Sequence, residues 1–204
     1  NFRVSYAITG CVLDQMEAYC PDVIDTFREL AKTGCCEFVG ETYYHSLAGL
    51  YSREEFTEQV EMHTKKIQNL FGQTPTVFRN TELIYSNDLA WYVSQMKDAT
   101  GNPRFYGMIT EGTDFHLGYR APTFVYQPPG KPIGRDGRPF GTLLKNYRLS
   151  DDIAFRFSNR GWAEWPLTAE KFAKWANLVN GNGYLCNLFM DYETFGEHQG
   201  EQTG

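Results

Sequence analysis

The sequence has little of what marks a membrane protein or a nucleic-acid-binding protein. No apolar run approaches the ~18 residues that a bilayer-spanning helix needs, so no membrane span is expected. Basic residues are outnumbered, because 19 Lys and Arg stand against 25 Asp and Glu for a formal net charge of −6. Nucleic acid and anionic membranes attract basic surfaces, so neither is expected as a partner.

Patterns for disulfides and metal sites are also missing. The five Cys are odd in number and form no CxxC pair, which favours buried, reduced thiols in a cytoplasmic protein. The chain opens without the basic region and cleavage site of a secretory signal, which favours the same location. The four His lack the His-x-x-x-His spacing that a metal-dependent carbohydrate deacetylase needs, so that class of enzyme ranks low.

Apolar and aromatic residues are abundant. Hydrophobic residues make up 42% of the chain, enough for a packed core, and aromatic residues make up 16%. That aromatic share favours a protein that stacks rings on a ligand as well as packing them inside.

Short apolar runs alternate with amphipathic helices along the chain. Strands are predicted at residues 2–9, 35–39, 76–79, 106–110 and 184–190, with 142–145 as a further extended segment. Helices are predicted at residues 21–33, 52–71, 86–96, 150–157 and 168–179. This order predicts a parallel sheet with crossover helices, and the strands are fewer than the roughly eight that close a barrel.

Carboxylates follow several of the predicted strands, within segments 40–46, 80–85 and 191–198. In parallel α/β folds, the residues just past the carboxyl ends of the strands form the site. Two carboxylates above an aromatic floor suit glycoside hydrolysis, since one attacks the anomeric carbon and the other protonates the leaving oxygen.

Five segments in order resemble glycoside hydrolase family 57, and most closely its α-amylase-type members. Segments 78–85 (FRNTELIY) and 189–198 (FMDYETFGEH) resemble the family's two catalytic segments. Segment 37–51 resembles its second region, and segments 111–126 and 145–158 resemble its connecting segments. The resemblance covers nearly the whole chain. It implies an incomplete (β/α)7 TIM-like barrel that cleaves or transfers α-glucan chains with retention, without a metal or other cofactor.

The resemblance also implies roles for individual residues. Glu82 matches the nucleophile and Asp191 matches the general acid/base, and both are expected on one barrel rim. His45 falls where the second region supplies a sugar contact. Arg79 and His198 fall at positions that often carry Trp in the transferase members, so they are expected to contact substrate in its place.

Several other polar residues are interpreted as structural. Asp151 and Asp152 are expected to be first-turn charges of a helix, and His63 is expected to lie buried in mid-helix. Glu193 is expected to orient its neighbours. Segment 97–107 is expected to be a surface insertion.

Residues 1–204 are expected to be part of a single (β/α)7-type catalytic domain that lacks the family's first strand and C-terminal cap. The expected function is a retaining, α-amylase-like hydrolase acting on an α-glucan or a maltooligosaccharide. A 4-α-glucanotransferase or branching enzyme of the same family is an alternative, and so is a non-catalytic sugar-binding fragment. The sequence does not separate them.

Overall fold

The computed structural model describes residues 3–203, which form two compact units. The first unit comprises the chain up to Ile109 together with Gln127–Thr142. The second unit comprises Thr110–Tyr126 and the chain from Leu143 onward.

Five short strands form in the described part of the chain: β1 (Val4–Tyr6), β2 (Cys36–Phe38), β3 (Val77–Arg79), β4 (Gly107–Thr110) and β5 (Gly141–Leu144). Strands β1 and β2 pair in parallel with Val4 opposite Cys36, and β3 and β4 pair in parallel with Val77 opposite Gly107. Strand β5 lies beside β4. Gly40, two residues past β2, forms a parallel bridge with Phe78 of β3. The strands therefore follow one another in chain order, as expected when helices connect parallel neighbours.

Eight α-helices form in residues 3–203: α1 (Gly10–Tyr19), α2 (Pro21–Lys32), α3 (Ala48–Tyr51), α4 (Arg53–Phe71), α5 (Asn87–Gln95), α6 (Asp114–Leu117), α7 (Tyr147–Ala154) and α8 (Ala169–Asn177). None of these described helices combines the length and the apolar character that crossing a membrane requires.

Helix α4 shows how local sequence signals set the elements. Ser52 accepts a hydrogen bond from the Glu55 N–H at 3.2 Å, which satisfies one of the free donors at the helix start. The helix ends at Gly72, whose φ of 67° is the left-handed conformation that a residue without Cβ adopts most easily. Both ends agree with the sequence-based prediction.

The apolar core of the first unit has two clusters, and α4 contributes to both. One cluster surrounds strands β3 and β4 and includes Phe56, Val60, Phe78, Leu89, Val93, Phe105, Met108 and Phe140. The other surrounds β1 and β2 and includes Ile8, Leu13, Ile24, Phe27, Phe38, Ile67, Leu70 and Phe71. This packing fixes the strands whose carboxyl ends carry the candidate site.

The predicted α/β fold with parallel strands is confirmed, although the described strands form two short sheets rather than a complete barrel. The first predicted strand begins at Phe2, which lies outside the described residues, and β1 covers only its middle.

The strand predicted at residues 184–190 is wrong. This segment makes no sheet ladder within the described residues, because its backbone groups bond to other partners. The Asn187 carbonyl accepts from the Asn146 N–H at 2.8 Å, and the Phe189 N–H donates to the Ser150 hydroxyl at 3.1 Å. An apolar run whose backbone groups are satisfied in this way, by a main-chain N–H and by a hydroxyl, needs no neighbouring strand.

Two helix predictions also need correction. Helix α1 is missing from the prediction because it begins at Gly10, and glycine is a poor helix former. A Cβ on Gly10 would lie 2.4 Å from the Tyr43 ring. Helix α7 begins at Tyr147, capped by Asn146, instead of at residue 150. Asp151 and Asp152 therefore lie inside the helix rather than in its first turn.

The predicted surface insertion at residues 97–107 is only partly exposed. Its turn around Asp98 is on the surface, where the Asp98 carboxylate accepts from the Thr100 and Asn102 N–H groups. Arg104 and Phe105 are instead buried, and Arg104 donates to Glu61 at 2.7 Å.

Candidate active site

Glu82 lies three residues past the end of β3, in a single 3₁₀ turn (Thr81–Leu83) with an unusual backbone. Glu82 has a φ of 54° and Leu83 a φ of 56°, so two consecutive residues with side chains adopt the left-handed conformation. Such residues cost about 1–3 kcal/mol each and persist only where the surroundings hold them. Left-handed residues of this kind concentrate at functional sites.

Hydrogen bonds from the flanking residues hold this turn in place. The Thr81 hydroxyl donates to the Ser46 carbonyl at 2.8 Å and lies 3.0 Å from the Thr42 hydroxyl. The Asn80 side-chain amide donates to the Ile84 carbonyl at 3.0 Å. These contacts tie the turn after β3 to the segment after β2.

His45 comes from the segment after β2 and contacts Glu82 directly. Its Nε2 lies 2.9 Å from Glu82 Oε1, and its Nδ1 lies 3.4 Å from Arg79 Nη1. A guanidinium can only donate, so a neutral His45 ring accepts at Nδ1 and carries its proton on Nε2. His45 therefore donates a hydrogen bond to the Glu82 carboxylate.

The charges around this contact favour an ionised Glu82. The hydrogen bond from His45 is the largest influence and lowers the pKa of Glu82, while burial, the next largest, raises it. The charge of Arg79, and that of His45 when the ring is protonated, lower the pKa further. The Glu41 carboxylate raises the pKa of His45, and Glu82 does the same, against burial and Arg79. The Glu82 side chain is 69% exposed, so the carboxylate is both charged and accessible.

Asp191 lies in the second unit, at the start of the 3₁₀ turn Tyr192–Thr194, and its side chain is exposed. It borders a small cavity of about 40 Å³. The other residues lining that cavity are Lys145, Asp151, Ala154, Phe155, Phe189, Met190 and Thr194. Lys145 Nζ lies 4.0 Å from Asp151 and 3.7 Å from Glu111, so a cation is held among the carboxylates of this region.

His198 lies in the same turn region as Asp191. Its ring centroid is 5.5 Å from that of Phe155, one of the residues that line the Asp191 cavity. The main-chain N–H of His198 donates to the main-chain carbonyl of Glu193 at 2.7 Å.

The structure brings together three of the five predicted site residues, Glu82, His45 and Arg79, within the first unit. Asp191 and His198 lie in the second unit. Sequence reasoning missed Glu41, which approaches both Arg79 and His45. Its place three residues past the end of β2, and four residues before His45, was the available signal.

His63 has the predicted structural role. It is fully buried in α4, and its Nε2 donates to the Ile8 carbonyl at 2.9 Å. Burial lowers the pKa of His63, so the ring is kept neutral.

The cysteines match the expectation in part. Within the described chain the five cysteines are free, as predicted, but each is half-buried rather than fully buried. No group of three or more His, Cys, Asp or Glu side chains in residues 3–203 is arranged to hold a metal ion.

Two comparisons with known sequences agree on the family of this chain. A family model described as Glycosyl hydrolase family 57 matches residues 1–204. The chain is 45% identical over 205 residues to a protein of Methanocaldococcus jannaschii named "Putative alpha-amylase". That alignment covers 100% of this chain and 40% of the M. jannaschii protein, so the chain spans two-fifths of that relative's length.

Two solved structures are similar in fold. The 4-alpha-glucanotransferase from Thermococcus litoralis has a TM-score of 0.72 at 18% identity, over 97% of this chain and 29% of that one. The exo-type maltose-forming amylase from Pyrococcus sp. ST04 has a TM-score of 0.60 at 18% identity, over 95% of this chain and 31% of that one. At these identities the likeness concerns the fold alone.

Proposed function

The chain belongs to glycosyl hydrolase family 57, and from that premise we propose that it provides catalytic residues of a retaining, α-amylase-like glycoside hydrolase. The substrate is an α-glucan or a maltooligosaccharide. Residues 1–204 form part of a single (β/α)7-type catalytic domain, as a partial barrel, in a cytoplasmic enzyme that needs no cofactor.

The observation that carries this proposal is the position, exposure and hydrogen bonding of the Glu82 side chain. The side chain follows a strand of a parallel sheet, is 69% exposed, and receives a hydrogen bond from His45 at 2.9 Å. A nucleophilic carboxylate must be ionised and able to reach the anomeric carbon. The bond from His45 occupies Oε1 and stabilises the charged form, which leaves Oε2 as the oxygen for the attack.

The reaction follows a double displacement. Glu82 attacks the anomeric carbon and forms a glycosyl ester, while Asp191 donates a proton to the leaving oxygen. Asp191 then takes a proton from the water that attacks the ester, which releases the sugar and restores both carboxyl groups. The proposal requires both carboxyl groups to face the same glycosidic bond. His45, Arg79 and His198 serve as sugar contacts.

Replacing Glu82 in the whole protein that contains this chain tests the proposal. The Glu82→Gln amide is nearly isosteric but cannot form the ester, so kcat on maltooligosaccharides should fall on the order of a thousandfold or more. Stability should change by no more than about 0.5 kcal/mol, since the side chain is on the surface.

The matched control is Glu58→Gln, which removes an exposed carboxylate from α4. It should leave kcat and the thermal melt unchanged. Wild-type turnover in Glu82→Gln would move the chemistry to another residue and reject the proposal.

A further inference from the structure

A buried carboxylate lies next to the contact between His45 and Glu82. The Glu41 side chain is 1% exposed, and its Oε2 lies 3.5 Å from Arg79 Nη1 and 3.9 Å from His45 Nδ1. Its other oxygen, Oε1, is buried without a hydrogen-bond partner in the described part of the chain. Buried acceptors are normally satisfied, because an unpaired one costs free energy. A buried acid with incomplete pairing beside a candidate nucleophile indicates a role beyond stability.

We infer that Glu41 is a positioning residue for Glu82, acting through Arg79 and His45. This inference rests on the proposed function, since it concerns how the same nucleophile is presented. Glu41 Oε2 faces the Arg79 guanidinium, the guanidinium faces His45 Nδ1, and His45 Nε2 donates to Glu82 Oε1. The contacts lead from a buried carboxylate to an exposed one.

The donors in this chain of contacts, from Glu41 through Arg79 and His45 to Glu82, determine which ring nitrogen of His45 carries the proton. Arg79 has only N–H donors, so it selects the neutral ring whose proton is on Nε2. When the ring is protonated, Nδ1–H needs an acceptor, and the Glu41 carboxylate is 3.9 Å from that nitrogen. Glu41 therefore supports the ring in both protonation states, and Nε2 continues to donate to Glu82 in each.

The charged groups that face His45 belong to two neighbouring segments, the one after β2 and the end of β3 with the turn that follows it. His45 faces Glu41, Glu82 and Arg79, and the charge of Glu41 also acts on His63 of α4. Because burial keeps His63 neutral, His63 does not offset the charge of Glu41.

The first test measures the wild-type ring and uses a substitution only to assign its signal. In the whole protein labelled with ¹⁵N-histidine, the ring nitrogen shifts of His45 report which nitrogen carries the proton, and His45→Asn identifies the signal. Above the pKa of His45, the Nε2–H form is expected. A ring protonated on Nδ1 alone would overturn the inference, because Arg79 could then not face an acceptor.

The second test removes the charge of Glu41 with little change of shape. In Glu41→Gln the pKa of His45 should fall, because the Glu41 carboxylate is the main influence that raises it. The kcat should fall about tenfold with KM nearly unchanged, the pattern for a lost partner that orients a catalytic group. Glu41→Asp keeps the charge and should restore part of the His45 pKa.

The matched control is Glu61→Gln. Glu61 accepts from the buried Arg104 at 2.7 Å in the same unit, so its loss likewise removes the carboxylate partner of a buried guanidinium. It should leave kcat and the His45 pKa unchanged.

The outcomes separate this inference from the proposed function. Wild-type kcat and His45 pKa in Glu41→Gln, with Glu82→Gln inactive, would overturn the inference alone. An active Glu82→Gln would overturn the proposed function. If Glu41→Gln does not fold, Glu41→Asp and the wild-type ring state decide, because neither depends on that variant.

Discussion

At the scale of the residue, the candidate site depends on one imidazole with a fixed proton. His45 lies between a cation at Nδ1 and a carboxylate at Nε2, so the ring donates toward Glu82. A carboxylate that accepts such a bond is favoured in its charged form. His45 and Glu82 both have left-handed backbones, with φ of 53° and 54°. The left-handed backbones of His45 and Glu82 and the proton on His45 Nε2 therefore meet at one contact, the hydrogen bond from His45 to Glu82.

The contact predicts how activity depends on pH. The hydrogen bond from His45 is the main cause of the lowered pKa of Glu82, so removing it raises that pKa. In His45→Asn, activity that needs the ionised Glu82 should be lost at a higher pH than in the wild type. Asn tolerates the left-handed backbone but is too short to keep the bond. The measurement is the acid limb of kcat/KM against pH for maltooligosaccharide hydrolysis.

The same substitution at a control position separates this effect from a general change. His116→Asn alters an exposed histidine on α6 and should leave the acid limb where it is. An acid limb that stays in place in His45→Asn would show that Glu82 is not the group whose ionisation controls activity.

At the scale of the element, the helices that were predicted best have strong local signals at their first residue. Ser52 caps α4, Ser86 caps α5 and Thr168 caps α8, each through a hydroxyl that accepts from the backbone N–H three residues on. The failure at residues 184–190 has a tertiary cause, because Ser150 and Asn146 take the backbone bonds of that segment and local sequence does not contain those contacts. The failure at α1 is local, because Thr9 caps the helix through a hydroxyl that accepts from the Val12 N–H at 3.4 Å, but Gly10 at the first helical position hides that signal.

The end of α4 gives a prediction about stability. Gly72 has a φ of 67°, and a Cβ there would meet no atom within 4 Å, so the effect of a side chain is purely conformational. Gly72→Ala should destabilise the protein by about 1 kcal/mol, because Ala pays the left-handed penalty that Gly avoids. Chemical denaturation measures the change. Gly72→Asn should cost less, since Asn adopts this backbone more readily, and equal losses for the two variants would contradict the explanation.

At the scale of the whole molecule, sequence reasoning reached the family but not every contact in the site. Five ordered segments identified glycoside hydrolase family 57, and the family match over residues 1–204 confirms that identification. The charges around Glu82 were out of reach of sequence reasoning, because Glu41, His45 and Arg79 meet only when β2 and β3 lie side by side. The roles of Glu82 and Asp191 stay predictions.

The stereochemistry of the product tests the reaction as a whole. A double displacement inverts the anomeric carbon twice, so cleavage of an α-glucan should first release the α-anomer. The measurement is ¹H NMR of the anomeric protons during the first minutes of hydrolysis by the whole protein, before mutarotation mixes the anomers. A β-anomer released first would indicate a single displacement, in which water attacks directly and no residue forms an ester. Glu82 would then act as a general base rather than as a nucleophile, and the hydrogen bond from His45 would position that base for the water.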